Sequence, residues 1–189
     1  MTYLVLGLAI FLGIHSVSII APSARDRWAA ALGKNAWRGL YSLISLAGFL
    51  LLIYGYGLAR HEPVLLYAPP LWLRHVALVL MVPAFPLLLA TFLPGRIKST
   101  VKHPMLTGVK LWALAHLLAN GMAADVLLFG GFLAWAVADR ISMKRRVVRP
   151  INTLPASRWN DAIAVVGGLA IYALMLCCLH RWLVGVPLL

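Results

Sequence analysis

Long apolar segments alternate with short polar ones along this chain of 189 residues. A helix needs about 20 predominantly apolar residues to cross a hydrocarbon core about 30 Å thick, and most of the segments approach that length. We therefore predict an all-α polytopic bundle of six transmembrane helices, built as one integral membrane domain over residues 1–189. The predicted helices cover residues 2–21, 37–58, 71–93, 104–120, 125–139 and 162–186.

The basic residues are distributed unevenly between the gaps that separate these helices. Thirteen of the 17 Lys and Arg residues lie in or beside the first, third and fifth gaps, and only Arg60, Arg74 and Arg181 belong to the other gaps and the termini. Loops rich in Lys and Arg stay in the cytoplasm, so we predict that both termini lie outside it. The 13 residues are Arg25, Arg27, Lys34, Arg38, Arg96, Lys98, Lys102, Arg140, Lys144, Arg145, Arg146, Arg149 and Arg158.

Composition supports lipid as the main solvent of this chain. Hydrophobic residues make up 62% of it, charged residues 12%, and its mean hydropathy is +0.90. A soluble domain of this size has too little interior to bury so much apolar surface. The net charge of +12 is spread over membrane-flanking loops, which favours contact with anionic lipid and argues against a nucleic-acid partner.

The sequence has few acidic residues and cysteines that could take part in catalysis. The five carboxylates lie at predicted helix ends or in loops, which argues against a paired acid and base at membrane depth. Cys177 and Cys178 are neighbours within the last apolar segment, where adjacent side chains point about 100° apart, so they indicate no disulfide framework. Serine hydrolase and nucleotide-binding signatures are missing from the sequence.

Histidine is the remaining candidate for chemistry within the membrane. His15 lies two-thirds of the way along the first predicted helix, and His116 lies near the far end of the fourth. At 1.5 Å per residue they lie about 9 Å and 18 Å below the cytoplasmic end, a difference that helix tilt can close. The two side chains can therefore hold a ligand between the first and fourth helices. A hydrogen-bonded core histidine is the alternative for each.

A second pair of polar residues lies at the start of the fourth predicted helix. His103 precedes Pro104, and Lys110 follows seven residues later, within about 20° of the same helix face. This pair could hold a carboxylate, propionate or phosphate. The alternative is that His103 and Pro104 only begin the helix while Lys110 extends to the cytoplasmic interface.

The other three histidines map to the outer side of the predicted bundle. His61 lies in a loop, and His75 and His180 lie near predicted helix ends. Interface residues explain all three, and an outer site made by His75 and His180 is the alternative.

Three segments carry a family resemblance. Residues 102–121 read KHPMLTGVKLWALAHLLANG and contain the pattern HPxxxGxxxWxxAHxxxNG. With residues 13–18 (GIHSVS) and 128–131 (LFGG), this pattern resembles the NnrU family of bacterial membrane proteins over nearly the whole chain. The resemblance implies a multi-pass protein of the bacterial inner membrane, an accessory role in denitrification or nitric oxide and nitrite metabolism, and partners among nitrite or nitric oxide reductase components.

The resemblance also implies a cofactor. The NnrU family includes the plant 15-cis-zeta-carotene isomerase, a haem-dependent enzyme whose implicated haem histidines correspond to His15 and His116. It therefore implies b-type haem with these two axial ligands, and His103 and Lys110 are then candidates to pair with the propionates. The isomerase has a cysteine where this chain has Ala113, which puts a thiolate-dependent ligand switch in doubt.

Two enzymatic alternatives accompany the accessory role. One is a haem-dependent isomerase or redox enzyme that acts on an apolar, lipid-soluble substrate. The other is a membrane methyltransferase, because the His103-Pro104 pair resembles the His-Pro entry of isoprenylcysteine and phospholipid methyltransferases. Those enzymes usually carry Glu in a later cytoplasmic segment, and the segment after Arg140 contains none, which disfavours the methyltransferase.

Overall fold

The computed structural model describes residues 1–188, and Leu189, the last residue of the predicted domain, lies outside that range. Within the described residues the regular structure is helical, and the bridge between Leu65 and Met122 is isolated. The all-α prediction is confirmed. The helices are α1 (Thr2–Ile20), α2 (Pro22–Leu32), α3 (Lys34–Ala59), α4 (Trp72–Met81), α5 (Ala84–Ala90), α6 (Arg96–Val101), α7 (Pro104–Ala119), α8 (Ala123–Ser142), α9 (Asn160–Leu174), a π-helical turn (Met175–Leu179) and α10 (His180–Val184).

Within residues 1–188, four helical stretches are long and apolar enough to cross a membrane: Thr2–Ile20, Lys34–Ala59, Trp72–Ala90 and Asn160–Val184. A shorter apolar helix covers Pro104–Ala119. Large apolar side chains on these stretches are exposed, such as Leu43 at 65%, Val79 at 69% and Val166 at 68%. So much exposed apolar surface is characteristic of contact with lipid. The structure therefore supports a membrane protein, while six crossings and the side of each terminus stay predictions.

Three predicted elements differ from the structure. The third predicted helix is interrupted between Met81 and Ala84, because Pro83 has no N–H and its ring crowds the preceding turn. The first predicted gap contains α2, which begins with Pro22 in its first turn, where an amide donor is not needed. The loop predicted after Arg140 begins slightly later, since α8 continues to Ser142.

The chain divides into two compact units. The first unit contains Met1–Pro69 and Asn120–Val148, and therefore α1, α2, α3 and α8. The second unit contains Pro70–Ala119 and the described residues from Arg149 onward, and therefore α4 to α7, α9, the π-helical turn and α10.

Glycine allows α1 and α3 to pack closely in the first unit. A Cβ added to Gly48 would lie 2.7 Å from the backbone nitrogen of Phe11 and 2.9 Å from the Ile10 side chain. Gly55 lies against the backbone of Leu4 in the same way, so the two helices run antiparallel. Small residues at such positions let helix backbones approach where hydrophobic burial in lipid gives little driving force.

Asp125 joins two other parts of the first unit. Its carboxylate accepts hydrogen bonds from the backbone N–H of Met122 at 3.1 Å and from the Tyr56 hydroxyl at 2.5 Å. The first bond caps α8, because the carboxylate of Asp125 in the first turn accepts the backbone N–H of the N-cap residue Met122. Nearby, the carbonyl of Gly121 accepts bonds from the N–H groups of Leu66 and Tyr67, which fastens the loop after α3 to the start of α8.

The second unit is held by contacts of α9. Gly168 lies against Pro86 of α5, and an added Cβ would lie 2.5 Å from the Pro86 Cα. The Asp161 carboxylate accepts bonds from the backbone N–H groups of Arg96 at 2.8 Å and Ile97 at 3.1 Å. The Asn160 amide donates to the carbonyl of Pro94 at 2.8 Å. These bonds tie the beginning of α9 to the turn before α6.

Candidate functional site

His15 lies on α1 of the first unit and is half-buried. Its Nδ1 is 2.6 Å from the carbonyl oxygen of Phe11, one helical turn earlier. A carbonyl oxygen can only accept a hydrogen bond, so Nδ1 carries the proton. The neutral ring then has its lone pair on Nε2, and an N–H···O=C bond of this kind is typical of a histidine that binds a metal through its other nitrogen.

Aromatic side chains from three helices surround this imidazole. The centroid of the His15 ring is 4.3 Å from that of Phe11 on α1, 5.3 Å from Tyr41 on α3 and 5.9 Å from Trp135 on α8. The Tyr41 and Trp135 rings meet the imidazole edge to face, at interplanar angles of 63° and 90°. We call Phe11, His15, Tyr41 and Trp135 the His15 cluster.

The His15 cluster also contains a buried donor. The indole Nε1 of Trp135 is buried and has no hydrogen-bond partner within residues 1–188. A buried N–H group left unpaired costs about 1–3 kcal/mol, so most such groups in proteins have a partner. The orphaned donor therefore fits a ligand that carries an acceptor, and b-type haem has carboxylate acceptors beside its apolar ring.

His116, the second predicted ligand, lies on α7 of the second unit. Its local arrangement matches that of His15: Nδ1 is 2.8 Å from the carbonyl oxygen of Trp112, and the two rings are 5.3 Å apart. Each histidine thus follows an aromatic residue by four positions and uses Nδ1 in the same way. The pairing of His15 with His116 through one ligand stays a prediction.

His103 and Lys110 also belong to the second unit. The carbonyl of His103 accepts bonds from the backbone N–H of Thr107 at 3.1 Å and from its hydroxyl at 3.2 Å, so His103 begins α7. Lys110 is half-buried on α7, and the described residues offer it no ion-pair partner. A role in binding propionates stays a prediction for both.

The other three histidines differ in exposure and hydrogen bonding. His61 follows α3 and is exposed, and His75 is exposed on α4. His180 uses Nδ1 in a 2.7 Å hydrogen bond with the carbonyl oxygen of Val186. In the part of the chain that the structure describes, no group of three or more His, Cys, Asp or Glu side chains could hold a metal ion.

The structure reveals polar pairs that the sequence analysis did not find. Asp139 on α8 is only 6% exposed and forms an ion pair with Arg146, whose Nε also donates to the Ser142 hydroxyl at 3.0 Å. Asp125 is 3% exposed and bonds to Tyr56. Tyr41 and Trp135 come from other helices, and no local pattern of the sequence places them beside His15. The aromatic residue four positions before each of His15 and His116 is a signal that could have been read from the sequence.

Comparison with known proteins gives one match. A family model described as NnrU protein matches residues 3–188. No curated protein and no solved structure matches the chain. The match spans nearly the whole chain and agrees with the resemblance carried by residues 13–18, 102–121 and 128–131. The chain therefore belongs to the NnrU family.

Proposed function

We propose that this protein binds b-type haem in the membrane and acts as an accessory factor in denitrification or nitric oxide and nitrite metabolism. The observation that carries the proposal is the state of His15: its Nδ1 is bonded to the Phe11 carbonyl, and its Nε2 has no partner among the described residues. Haem brings four equatorial nitrogen donors of its own and needs only one or two axial ligands from the protein.

The surroundings of His15 support haem over a small hydrophilic ligand. Phe11, Tyr41 and Trp135 surround the imidazole with aromatic rings, beside which a planar ring could stack, and the buried Nε1 of Trp135 can donate to a carboxylate. His116, whose Nδ1 is 2.8 Å from the carbonyl oxygen of Trp112 on α7, is the proposed second axial ligand. Held by two neutral imidazoles, haem would be low-spin and would supply one-electron redox chemistry or nitric oxide binding.

The proposal includes a membrane location and a topology. The chain would cross the bacterial inner membrane six times, with α7 and α8 as the additional crossings and both termini outside the cytoplasm. His103 and Lys110 at the cytoplasmic part of α7 would then pair with haem propionates. Components of a nitrite or nitric oxide reductase are the proposed partners, because an accessory factor must deliver electrons, a signal or a maturation step to such an enzyme.

A second candidate function is haem-dependent isomerisation of an apolar substrate. The aromatic faces of the His15 cluster favour it, since a conjugated hydrocarbon could stack on them as well as a porphyrin. In that case the substrate would enter sideways from the lipid. The accessory role remains the main proposal, because the cluster presents no residue pair of the usual acid and base kind beside His15.

An absorption spectrum of the purified protein tests the proposal. Protein from haem-supplemented cells should show a Soret band that shifts with dithionite and shifts again with nitric oxide. His15→Ala and His116→Ala should each remove the low-spin spectrum, whereas His61→Ala, in an exposed loop, should leave it unchanged. A colourless wild-type preparation would contradict haem binding. A haem spectrum that does not respond to nitric oxide would instead favour the isomerase.

A further inference from the structure

A cleft of about 470 Å³ lies in the first unit, where α1, α2 and the end of α8 meet. Its volume falls within the range of about 300–1,000 Å³ that is usual for small-molecule sites. Four of its lining residues are apolar or small: Ile19, Pro22, Ala138 and Ile141. The other three are Ser142, Arg145 and Arg146. We call the first four residues the apolar wall of the cleft, and Arg145 and Arg146 its cationic wall.

One of the two arginines in the cationic wall is held in position by neighbouring side chains. Arg146 is held by the carboxylate of Asp139 and by the hydroxyl of Ser142, and its side chain is 13% exposed. A guanidinium has five N–H donors, and these two partners use one from Nε and one from Nη2. Three donors of a fixed guanidinium thus remain for a ligand. Fixed planar donors are well suited to phosphate oxygens.

The charge in the cleft is not balanced. Asp139 neutralises Arg146, whereas the exposed Arg145 has no side-chain hydrogen bond or ion pair within residues 1–188. The cleft therefore retains one net positive charge. That charge is complementary to a ligand with one negative charge.

The position of the cleft indicates where such a ligand comes from. Ile19 and Pro22 mark the end of α1, a helix able to cross a membrane, and the start of α2. Beside them Ile20 is 80% exposed, and on α2 Trp28 is 50% exposed. Exposed tryptophan and isoleucine next to Arg25 and Arg27 are typical of the zone where headgroups meet acyl chains. A free phosphate ion would leave the apolar wall without a partner.

We propose that this cleft binds the headgroup of an anionic phospholipid, with the phosphate at Arg145 and Arg146 and the glycerol backbone and first acyl carbons against Ile19 and Ile141. The site differs from general attraction between a basic loop and an anionic membrane, because Asp139 and Ser142 hold one guanidinium in place. The inference does not depend on haem binding by His15.

The test is a titration of short-chain phosphatidylglycerol into the purified full-length protein in a maltoside detergent, followed by native mass spectrometry. Arg145→Ala should weaken binding about fivefold, the effect of removing one cationic contact near a headgroup. Lys144→Ala is the matched control, since Lys144 is exposed beside Arg145 and does not line the cleft. Its affinity should stay within about twofold of the wild type.

Further variants and probes separate a lipid site from a phosphate site. Ile141→Ser should weaken phosphatidylglycerol binding and leave the binding of inorganic phosphate unchanged. Phosphatidylcholine of the same chain length, which has no net charge, should bind more weakly than phosphatidylglycerol. Equal losses of phosphatidylglycerol affinity in Arg145→Ala and Lys144→Ala would overturn the proposal of a specific site in the cleft. Inorganic phosphate that binds as tightly as the lipid would overturn the assignment of a lipid as the ligand. Both Ala variants change exposed residues, so thermal unfolding in detergent should confirm that they remain folded.

Discussion

The hydroxyl of Tyr56 donates a 2.5 Å hydrogen bond to the carboxylate of Asp125, which joins α3 to the first turn of α8 across 69 residues of sequence. Asp125 is 3% exposed, so its negative charge depends on the donors that surround it. One of the others is the backbone N–H of Met122, at the start of the same helix. Asp125 therefore both caps α8 and joins α8 to α3 within the first unit.

Removing this hydroxyl should destabilise the protein. We expect Tyr56→Phe to lower the free energy of unfolding by about 1.5–3 kcal/mol, the range for a hydrogen bond to a charged group. The measurement is thermal or denaturant unfolding in detergent. Tyr54→Phe is the matched control, because Tyr54 lies on the same helix and is 58% exposed, and it should change stability little. Equal effects of the two variants would show that the bond to Asp125 contributes nothing.

The two glycines Gly48 and Gly57 on α3 should respond to alanine with opposite signs. A Cβ at Gly48 would overlap the backbone of Phe11, so Gly48→Ala should destabilise the first unit by about 1–3 kcal/mol, as overpacking usually does. Gly57 has open space around its Cβ position, so Gly57→Ala should stabilise the helix by up to about 1 kcal/mol. Unfolding of both variants in the same detergent checks the prediction. A gain of stability in Gly48→Ala would contradict the close approach of α1 and α3.

Trp135 offers a test of ligand binding that is separate from packing. Trp135→Phe keeps a ring beside His15 and removes the buried N–H that has no partner among the described residues. Without ligand, we expect unchanged or slightly higher stability, because an unsatisfied donor is removed. Haem affinity should fall about fivefold to tenfold, the effect of losing one hydrogen bond of about 1–1.4 kcal/mol.

The haem affinity of Trp135→Phe is read from the ratio of Soret to protein absorbance during a haem titration. Trp182→Phe is the control, since Trp182 is 80% exposed, and its titration should match the wild type. A variant at Trp135 that loses stability while its haem titration stays unchanged would show that the indole N–H serves the fold alone.

The membrane orientation can be tested with single cysteines. Lys34→Cys and Glu62→Cys place exposed thiols at the two ends of α3. Cys177 and Cys178 are both exposed free thiols, so both should first be replaced by Ser in the protein that carries the new cysteine. In intact cells an impermeant maleimide should label the Glu62 position and not the Lys34 position. The reverse labelling pattern would place the termini in the cytoplasm.

Several parts of the fold could be predicted from local sequence. The bounds of α1, α3 and α7 agree with the predicted segments to within about three residues, because runs of apolar residues form helices wherever lipid surrounds them. The cap of α8 by Asp125 is also local, since a carboxylate in the first turn accepts a backbone N–H. The break at Pro83 has a local cause too, but a pattern of apolar residues alone does not register a missing amide donor.

The helical class, the apolar segments, the uneven distribution of basic residues and the candidate histidines all follow from local sequence. Which side chains meet depends on how the helices pack. Tyr41 and Trp135 reach His15 from two other helices, and Asp139 is joined to Arg146 beyond the end of its own helix. The physical reason is that periodicity assigns a residue to a helix face, whereas the rotation and depth at which two faces meet are set by glycine contacts such as Gly48 against Phe11.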